Sequence, residues 1–305
     1  MSDTDSTYHT PVLADEVATL VVGSRRIVDA TLGGGGHAAI FRSIGADVLG
    51  IDRDPEAIQV ARGRLGEGGI RYLEASFSSE KALDAIDEFR PDFVLLDLGV
   101  SSHQIDEERR GFTFRPGSPL DMRMEGSGHS AADLLNEAEQ GELRHIFAEY
   151  GDERRAGRLA IEIVRRRARE PFTTSDHLVN AIRAALGPRT GPADFARLFQ
   201  AVRIAVNDEL EGVAQALPRM RDALVPGGRL AVISYHSGED RIVKHQFRDW
   251  AASCVCPPEL PVCTCRGRPL GRLDPRRAIR PSADEIAHNP RARSATLRIF
   301  RTAET

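Results

Sequence analysis

A glycine-rich turn is the first feature of this sequence that could do chemistry. The short run at residues 27–31 leads directly into Gly33-Gly34-Gly35-Gly36-His37. Glycines let a backbone turn tightly and approach a ligand with no Cβ in the way. Asp52 stands nineteen residues after Gly33, where a carboxylate can accept hydrogen bonds from both ribose hydroxyls of an adenosine. The pattern predicts a site for a ligand that contains a nucleoside.

Two cofactors are compatible with this turn. Gly33, Gly35 and Ala38 satisfy the loose dinucleotide fingerprint G-x-G-x-x-[GA], and an acid after the second strand is also expected for NAD. Asp29 favours S-adenosylmethionine, because a carboxylate just before the turn suits a cationic amino-acid end better than a pyrophosphate. Asp97 ends a later apolar run, where it could accept a hydrogen bond from an adenine or a substrate amine, or simply cap the strand.

Short apolar runs and helical stretches alternate around the turn. The predicted strands cover residues 26–30, 47–51, 70–73 and 92–96. One helix is predicted over residues 12–21, and others begin near His37, Asp54 and Ser78. Strands separated by helices at this spacing are typical of a parallel, doubly wound sheet. In such a sheet the first strand-to-helix turn lies beside the ligand crevice.

The pattern changes after Gly99. Between Gln104 and Asn207 we find several helical patterns and no convincing strand. A helix over residues 207–224 and strands over 229–234 and 295–300 then resume the sheet. We therefore predict an α/β fold: a Rossmann-like sheet (1–104 and 207–305) with an inserted helical domain (105–206).

Composition and charge narrow the class of protein. The chain is 41% hydrophobic and 28% charged, which excludes a disordered chain. No apolar run approaches the ~20 residues that cross a bilayer, and residues 1–10 lack the pattern of a signal peptide, so we expect a cytoplasmic protein. Residues 154–169 carry seven arginines against one glutamate, and residues 265–305 carry ten against four acids. Such stretches either contact a polyanion or form solvated surfaces.

The cysteines are confined to one short segment, as Cys254, Cys256, Cys263 and Cys265. In a cytosolic chain such clustering favours a metal over disulfides. The two C-x-C pairs are tighter than the usual C-x-x-C zinc knuckle. We therefore assign no metal ligand, and a structural zinc stays open.

Longer strings follow one another in order along nearly the whole chain. They lie at residues 8–13, 29–37, 51–55, 96–104, 110–114, 119–124, 150–154, 199–204, 227–244 and 289–294. Together they resemble the bacterial ribosomal small-subunit RNA cytosine-N4 methyltransferase family. These strings are far more specific than a glycine turn.

The resemblance implies an activity, domain roles and a set of contacts. The sheet (1–104 and 207–305) would be a Rossmann-like S-adenosylmethionine methyltransferase domain, and the inserted helical domain (105–206) would help to recognise RNA. The activity is methyl transfer from S-adenosylmethionine to the N4 amine of one cytidine in the decoding region of 16S ribosomal RNA, near the P site and within the small ribosomal subunit. The implied cofactor contacts are Gly35, Gly36, His37, Asp52, Phe77, Asp97 and Gln104.

No catalytic residue is assigned. Other amino methyltransferases carry an Asn/Asp-Pro-Pro-aromatic loop after the fourth strand, whereas residues 97–100 here read Asp-Leu-Gly-Val. His236 is a candidate for contact with the substrate. The equal alternative is that it fixes the turn before a helix capped by Ser237, with Asp240 three residues on.

The chain departs from the family at three places. Residues 191–197 replace a basic His-Pro-Ala-Thr-Arg stretch, and Tyr235 and Gly238 replace residues that are usually Phe and Leu. The first change weakens the expectation of an RNA contact there. Two rival functions are an NAD-dependent oxidoreductase, which Asp29 and Asp97 disfavour, and an RNA-binding assembly factor without turnover, which the intact cofactor loop disfavours.

Overall fold

The computed structural model of the chain describes residues 11–100, 107–257, 262 and 264–304. The chain divides into two compact units, one of Met1–Gly99 with Leu210–Thr305 and the other of Val100–Glu209. The assignment of a methyltransferase domain and an RNA-recognition domain to these parts of the chain stays a prediction.

A seven-stranded sheet forms the centre of the first unit. Its strands are β1 (Arg26–Asp29), β2 (Asp47–Asp52), β3 (Ile70–Glu74), β4 (Phe93–Asp97), β5 (Arg229–Ser234), β6 (Gly271–Leu273) and β7 (Thr296–Thr302). Their order is β3-β2-β1-β4-β5-β7-β6. Strands β1 to β5 pair in parallel, and β7 is antiparallel to β5 and β6. The predicted doubly wound α/β fold is confirmed.

Twelve α-helices surround or follow these strands in the described residues. They are α1 (Ala14–Leu20), α2 (Gly36–Ser43), α3 (Pro55–Leu65), α4 (Glu80–Phe89), α5 (Ala131–Glu137), α6 (Gln140–His145), α7 (Ala156–Arg167), α8 (Ser175–Leu186), α9 (Pro192–Val206), α10 (Glu209–Ala223), α11 (Ser237–Ala251) and α12 (Ala283–His288). Helix α3 begins as its sequence predicts, because the Asp54 side chain accepts from the Glu56 amide (3.0 Å) and Pro55 takes the first position.

Alternate strand residues bury two cores, one on each face of the sheet. Val28 and Leu49 pack on one face with apolar residues of α4, α10 and α11. Ile27 and Val48 pack on the other face with α1, α2 and α3. Since both faces are covered, a parallel strand needs a continuous apolar run rather than an alternating one. This is why Phe93–Leu96, fully buried in β4, could be recognised from sequence.

The second unit is helical. In its described part, residues 107–209, helices α5 to α9 enclose a core that includes Phe147, Leu159 and Leu198. No β-strand occurs in that range; an isolated bridge joins Pro119 to Thr174. The segment that departs from the family forms the start of α9, where the Asp194 carboxylate accepts from the Gly191 amide at 3.1 Å. No helix in the described part of the chain is both long enough and apolar enough to cross a membrane.

Candidate cofactor site at the carboxyl ends of three adjacent strands

The glycine turn connects β1 to α2. Gly33 and Gly35 have φ angles of 51° and 76°, in the left-handed region that L side chains rarely adopt. A Cβ on Gly35 would also lie 2.9 Å from Leu65 Cδ1. Gly35 is the N-cap of α2 and supplies no side-chain cap. The turn therefore brings bare backbone and the positive end of a helix dipole to the edge of the sheet.

Asp52 is held beneath this turn at the end of β2. Its Oδ2 accepts from the Gly33 amide at 2.7 Å, and its Oδ1 accepts from the Asp54 amide at 2.9 Å. Burial raises the pKa of Asp52 to about 6, against the effect of the two amide donors, which favour the charged form. Part of the side chain stays open to solvent, so a hydroxyl donor can reach it.

Asp29, at the end of β1, is buried to 1% exposure. Among the described residues, neither carboxylate oxygen has a partner in hydrogen-bonding geometry, and the Thr31 amide acts on the charge from outside that geometry. Burial raises the pKa of Asp29 to about 7, although His37 and the Thr31 amide oppose the rise. The sequence suggested contact with a cationic ligand group. The oxygens of Asp29 are shielded from solvent by the described residues, and its interaction with a cationic ligand group stays a prediction.

Asp97 is the third acid of the group, at the end of β4. Its amide donates to Thr31 Oγ1 at 2.7 Å, and its Oδ1 accepts from the Tyr235 hydroxyl at 2.8 Å. Nε2 of the buried His37 lies 3.5 Å from Asp97 Oδ2, without hydrogen-bond geometry. Burial, and then the Asp97 charge, raise the pKa of Tyr235 well above its usual value. Tyr235 is therefore a protonated donor that orients Asp97.

Tyr235 and Thr31 were not predicted as part of the site. The sequence marked Tyr235 only as a departure from the family. A positional signal was present, because Tyr235 directly follows β5 and the carboxyl ends of parallel strands share one edge. Using that signal required knowing that β5 lies beside β4.

Phe77 and Gln104 are the remaining predicted cofactor contacts. Phe77 follows β3, is half-buried and packs against the core that contains α10. A Cβ on Gly212 would lie 3.9 Å from its Cζ. Its predicted contact with an adenine stays a prediction. Gln104 lies outside the described residues.

His236 fixes the turn before α11. Its Nδ1 accepts from the amides of Gly238 (3.2 Å) and Glu239 (3.4 Å), so it is the N-cap of that helix. Its Nε2 lies 3.1 Å from Oε1 of the buried Glu239. The predicted cap at Ser237 is wrong by one residue. The ring nitrogen of His236 accepts the hydrogen bonds that a hydroxyl usually accepts at an N-cap, and Glu239 completes the capping box. Asp240 instead pairs with Arg298 at 2.7 Å.

Comparison with known proteins identifies the family. The model of the MraW methylase family matches residues 6–303. The chain belongs to this family. The predicted family resemblance is confirmed.

Several relatives of this MraW methylase are similar along almost their whole length. A protein of Gemmatimonas aurantiaca named Ribosomal RNA small subunit methyltransferase H is 56% identical over 302 residues, covering 97% of this chain and 96% of the relative. Proteins of the same name from Rubrobacter xylanophilus and Symbiobacterium thermophilum are 48% and 45% identical, each over 95% or more of this chain and of the relative.

The cofactor of the MraW methylase family is S-adenosylmethionine, as predicted. The site has the right chemistry for it. Asp29, Asp52 and Asp97 end three neighbouring strands, β1, β2 and β4. Their combined potential attracts a sulfonium and an ammonium group and repels the pyrophosphate of a dinucleotide. Asp29 in particular is a buried carboxylate with no hydrogen-bond partner in the described part of the chain, and a nearby cation would stabilise it.

Proposed function

We propose that this methylase transfers a methyl group from S-adenosylmethionine to the exocyclic N4 of one cytidine in the decoding region of 16S ribosomal RNA, near the P site. The observation that carries the methyl donor is the group of three carboxylates at the ends of β1, β2 and β4. The name of the full-length relatives supports ribosomal RNA of the small subunit as the substrate. The family resemblance of the sequence strings supports cytidine N4.

Each cofactor contact in the proposal has a physical reason. The Asp52 carboxylate accepts hydrogen bonds from the ribose hydroxyls, and Phe77 offers an apolar surface to the adenine. Gly35 and Gly36 allow close approach of the backbone, while His37 and Asp97 border the same crevice. Gln104 enters on the family resemblance alone.

Methyl transfer to cytosine N4 requires positioning more than acid–base power. Bound S-adenosylmethionine supplies a methyl group made electrophilic by its sulfonium. The N4 lone pair is delocalised into the ring, so the site must hold the amine while nitrogen becomes pyramidal. The N4–C bond forms as the S–C bond breaks, and N4 then loses one proton. We assign no residue as the acceptor of that proton.

Helix α7 offers a surface for RNA phosphates. Arg167 is structural, because it donates to the carbonyls of Leu135 (3.1 Å) and Ala138 (2.7 Å). Arg165 and Arg166 both bind Glu162 at 2.7 Å. Arg158 and Arg169, by contrast, are exposed on the same helix or directly after it. We therefore assign phosphate contacts to Arg158 and Arg169 rather than to the whole stretch.

The proposal is tested by mass mapping of 16S ribosomal RNA. Cells that lack the protein are expected to lose one N4-methylcytidine in the decoding region. Return of the intact gene should restore it, and return of Asp52→Ala should not. Retention of every methylcytidine in the deleted strain would refute the substrate assignment.

Two in vitro measurements separate this proposal from its rivals. Calorimetry should show binding of S-adenosylmethionine and none of NAD; the reverse would favour an oxidoreductase. Radiolabelled methyl transfer should be measured on free 16S RNA and on small subunits from the deleted strain. Methyl transfer by the wild type that Asp52→Ala loses argues against the assembly-factor alternative, whereas an Asp52→Ala protein that still supports normal subunit assembly would favour it.

A further inference from the structure

A cluster of thiols follows α11 and has no part in the cofactor site. All four cysteines of the chain fall within twelve residues, from Cys254 to Cys265. The sulfur atoms of Cys254, Cys256 and Cys265 all lie within 4.8 Å of one another. None of the three forms a disulfide. Cys263 lies outside the described residues.

The sulfur separations match a metal site. In a tetrahedral thiolate centre the metal–sulfur bonds are about 2.3 Å, which places neighbouring sulfurs about 3.8 Å apart. The Sγ atoms of Cys254 and Cys265 are 3.9 Å apart. A disulfide would require about 2.05 Å. The three thiols therefore converge on a point without being bonded to each other.

Backbone amides on both sides of the cysteine segment, residues 254–256 and residues 264–265, donate hydrogen bonds to the thiols. The Val255 amide donates to Cys265 Sγ at 3.4 Å, and the Thr264 amide donates to Cys256 Sγ at 3.4 Å. Each side of the segment thus donates a hydrogen bond to a sulfur on the other side. Hydrogen bonds to metal-bound groups are the usual outer support of a metal site, because they orient the ligands and stabilise their charge.

The base of this cysteine segment is anchored to the end of α11. The Arg266 guanidinium donates to the carbonyls of Asp249 and Ala252, the latter at 2.9 Å. Arg266 directly follows Cys265 in the sequence. These hydrogen bonds hold residue 266 beside the end of α11, so that the two sides of the segment begin close together and the thiols can approach one another.

The described valines of the segment are exposed: Val255 and Val262 expose 45% and 70% of their surface, so neither is packed in a core. A bound metal ties its ligands together and so adds order that these two side chains do not supply. Thiol ligands with no oxygen or nitrogen donor select a soft or borderline ion, and zinc is the usual one.

We propose that Cys254, Cys256 and Cys265 bind a structural Zn²⁺ ion that fixes the segment between α11 and β6. The ion is not part of the methyl-transfer machinery, since no residue of the three-carboxylate site contributes a ligand. Zinc content and methyl transfer are therefore independent readouts.

The test measures zinc in the full-length chain purified under reducing conditions. Mass spectrometry of the metal should find close to one zinc per chain, and X-ray absorption should find a sulfur shell at about 2.3 Å. Cobalt substitution should give the intense thiolate-to-metal charge transfer and visible bands of a tetrahedral site. A wild-type chain without zinc after incubation with Zn²⁺, or one whose zinc has only nitrogen and oxygen neighbours, would overturn the proposal.

Serine variants locate the ligands. Cys254→Ser, Cys256→Ser and Cys265→Ser should each lose most of the bound zinc, whereas the matched control Val255→Ser should keep it, because it adds the same side chain between two ligands and removes no thiol. Zinc that persists in the triple serine variant would refute the assignment. Since the wild-type measurements need no variant, a variant that fails to fold leaves the test intact.

Discussion

The buried Asp29 makes cofactor affinity depend on pH in a predictable way. With a pKa of about 7, only about one ligand-free molecule in eleven has Asp29 ionised at pH 6, against about ten in eleven at pH 8. A cation that binds in its vicinity favours the ionised form. The affinity for S-adenosylmethionine should therefore fall up to about tenfold from pH 8 to pH 6. Asp52, with a pKa of about 6, should lower this affinity further, by up to about twofold over the same pH range.

The same carboxylate should weaken the ligand-free fold at neutral pH. Folding raises the pKa of Asp29 from 3.8 to about 7, so the folded state holds a proton that the unfolded state has lost. The contribution of Asp29 to the free energy of unfolding is most favourable below pH 4. It declines as the pH rises to 7 and is constant above that. At about 1.4 kcal/mol per pKa unit, Asp29→Asn should raise the unfolding free energy at pH 8 by up to about 4 kcal/mol.

Two assays on one variant check this reasoning. Calorimetry in buffers of different ionisation enthalpy should show proton release on cofactor binding by the wild type, and less by Asp29→Asn. The amino group of the ligand titrates near pH 8, but it does so equally with both proteins. S-adenosylhomocysteine, which lacks the sulfonium charge, is the matched ligand and should show the weaker dependence on pH.

Stability and affinity should move in opposite directions in Asp29→Asn. Urea unfolding at pH 8 should give a higher midpoint than the wild type, while the affinity for S-adenosylmethionine falls. A misfolded variant would lose both. Equal pH slopes for wild type and variant, or a less stable variant at pH 8, would refute the argument.

Four other substitutions give three distinct outcomes. Gly35→Ala and Gly45→Ala both place a side chain at positive φ and should each lose about 1 kcal/mol of stability, with a larger loss for Gly35→Ala because its Cβ also meets Leu65. Only Gly35→Ala should also weaken cofactor binding in calorimetry. Tyr235→Phe removes the donor to the partly exposed Asp97; the cofactor Kd should rise about fivefold with little change in melting temperature. Asn207→Ala leaves the Met122 carbonyl and Met124 amide without their side-chain partner and should cost about 3 kcal/mol in urea unfolding; an unchanged midpoint would contradict this.

Much of the fold could be predicted because buried parallel strands carry strong sequence signals. The four predicted early strands all exist, and each boundary is within one residue of the structure. Strand β6 was missed for an equally physical reason. Its three residues, Gly271–Leu273, lie at the sheet edge, pair only with β7 and are not buried. Such a strand depends on its partner rather than on an apolar run of its own.

Some residues of the candidate site could be predicted from the sequence and others could not. Asp29 and Asp52 could be placed at strand ends because each belongs to a unit of strand, turn and helix that is local in the sequence. Tyr235 could not, because its bond to Asp97 joins residues 138 positions apart and depends on the strand order. The cap at His236 was also missed, since histidine is not among the residues that normally begin a helix.

The burial of Asp29 connects the stability of this fold to its proposed use. A carboxylate at 1% exposure, with no hydrogen-bond partner among residues 11–100, 107–257, 262 and 264–304, destabilises the ligand-free protein whenever it is ionised. A nearby sulfonium or ammonium removes part of that penalty, so binding a cation recovers free energy that folding lost. An isosteric asparagine would make the fold more stable but would remove one of the three carboxylates from the site. Strain of this kind is expected where a fold is shaped by its ligand rather than by its own packing.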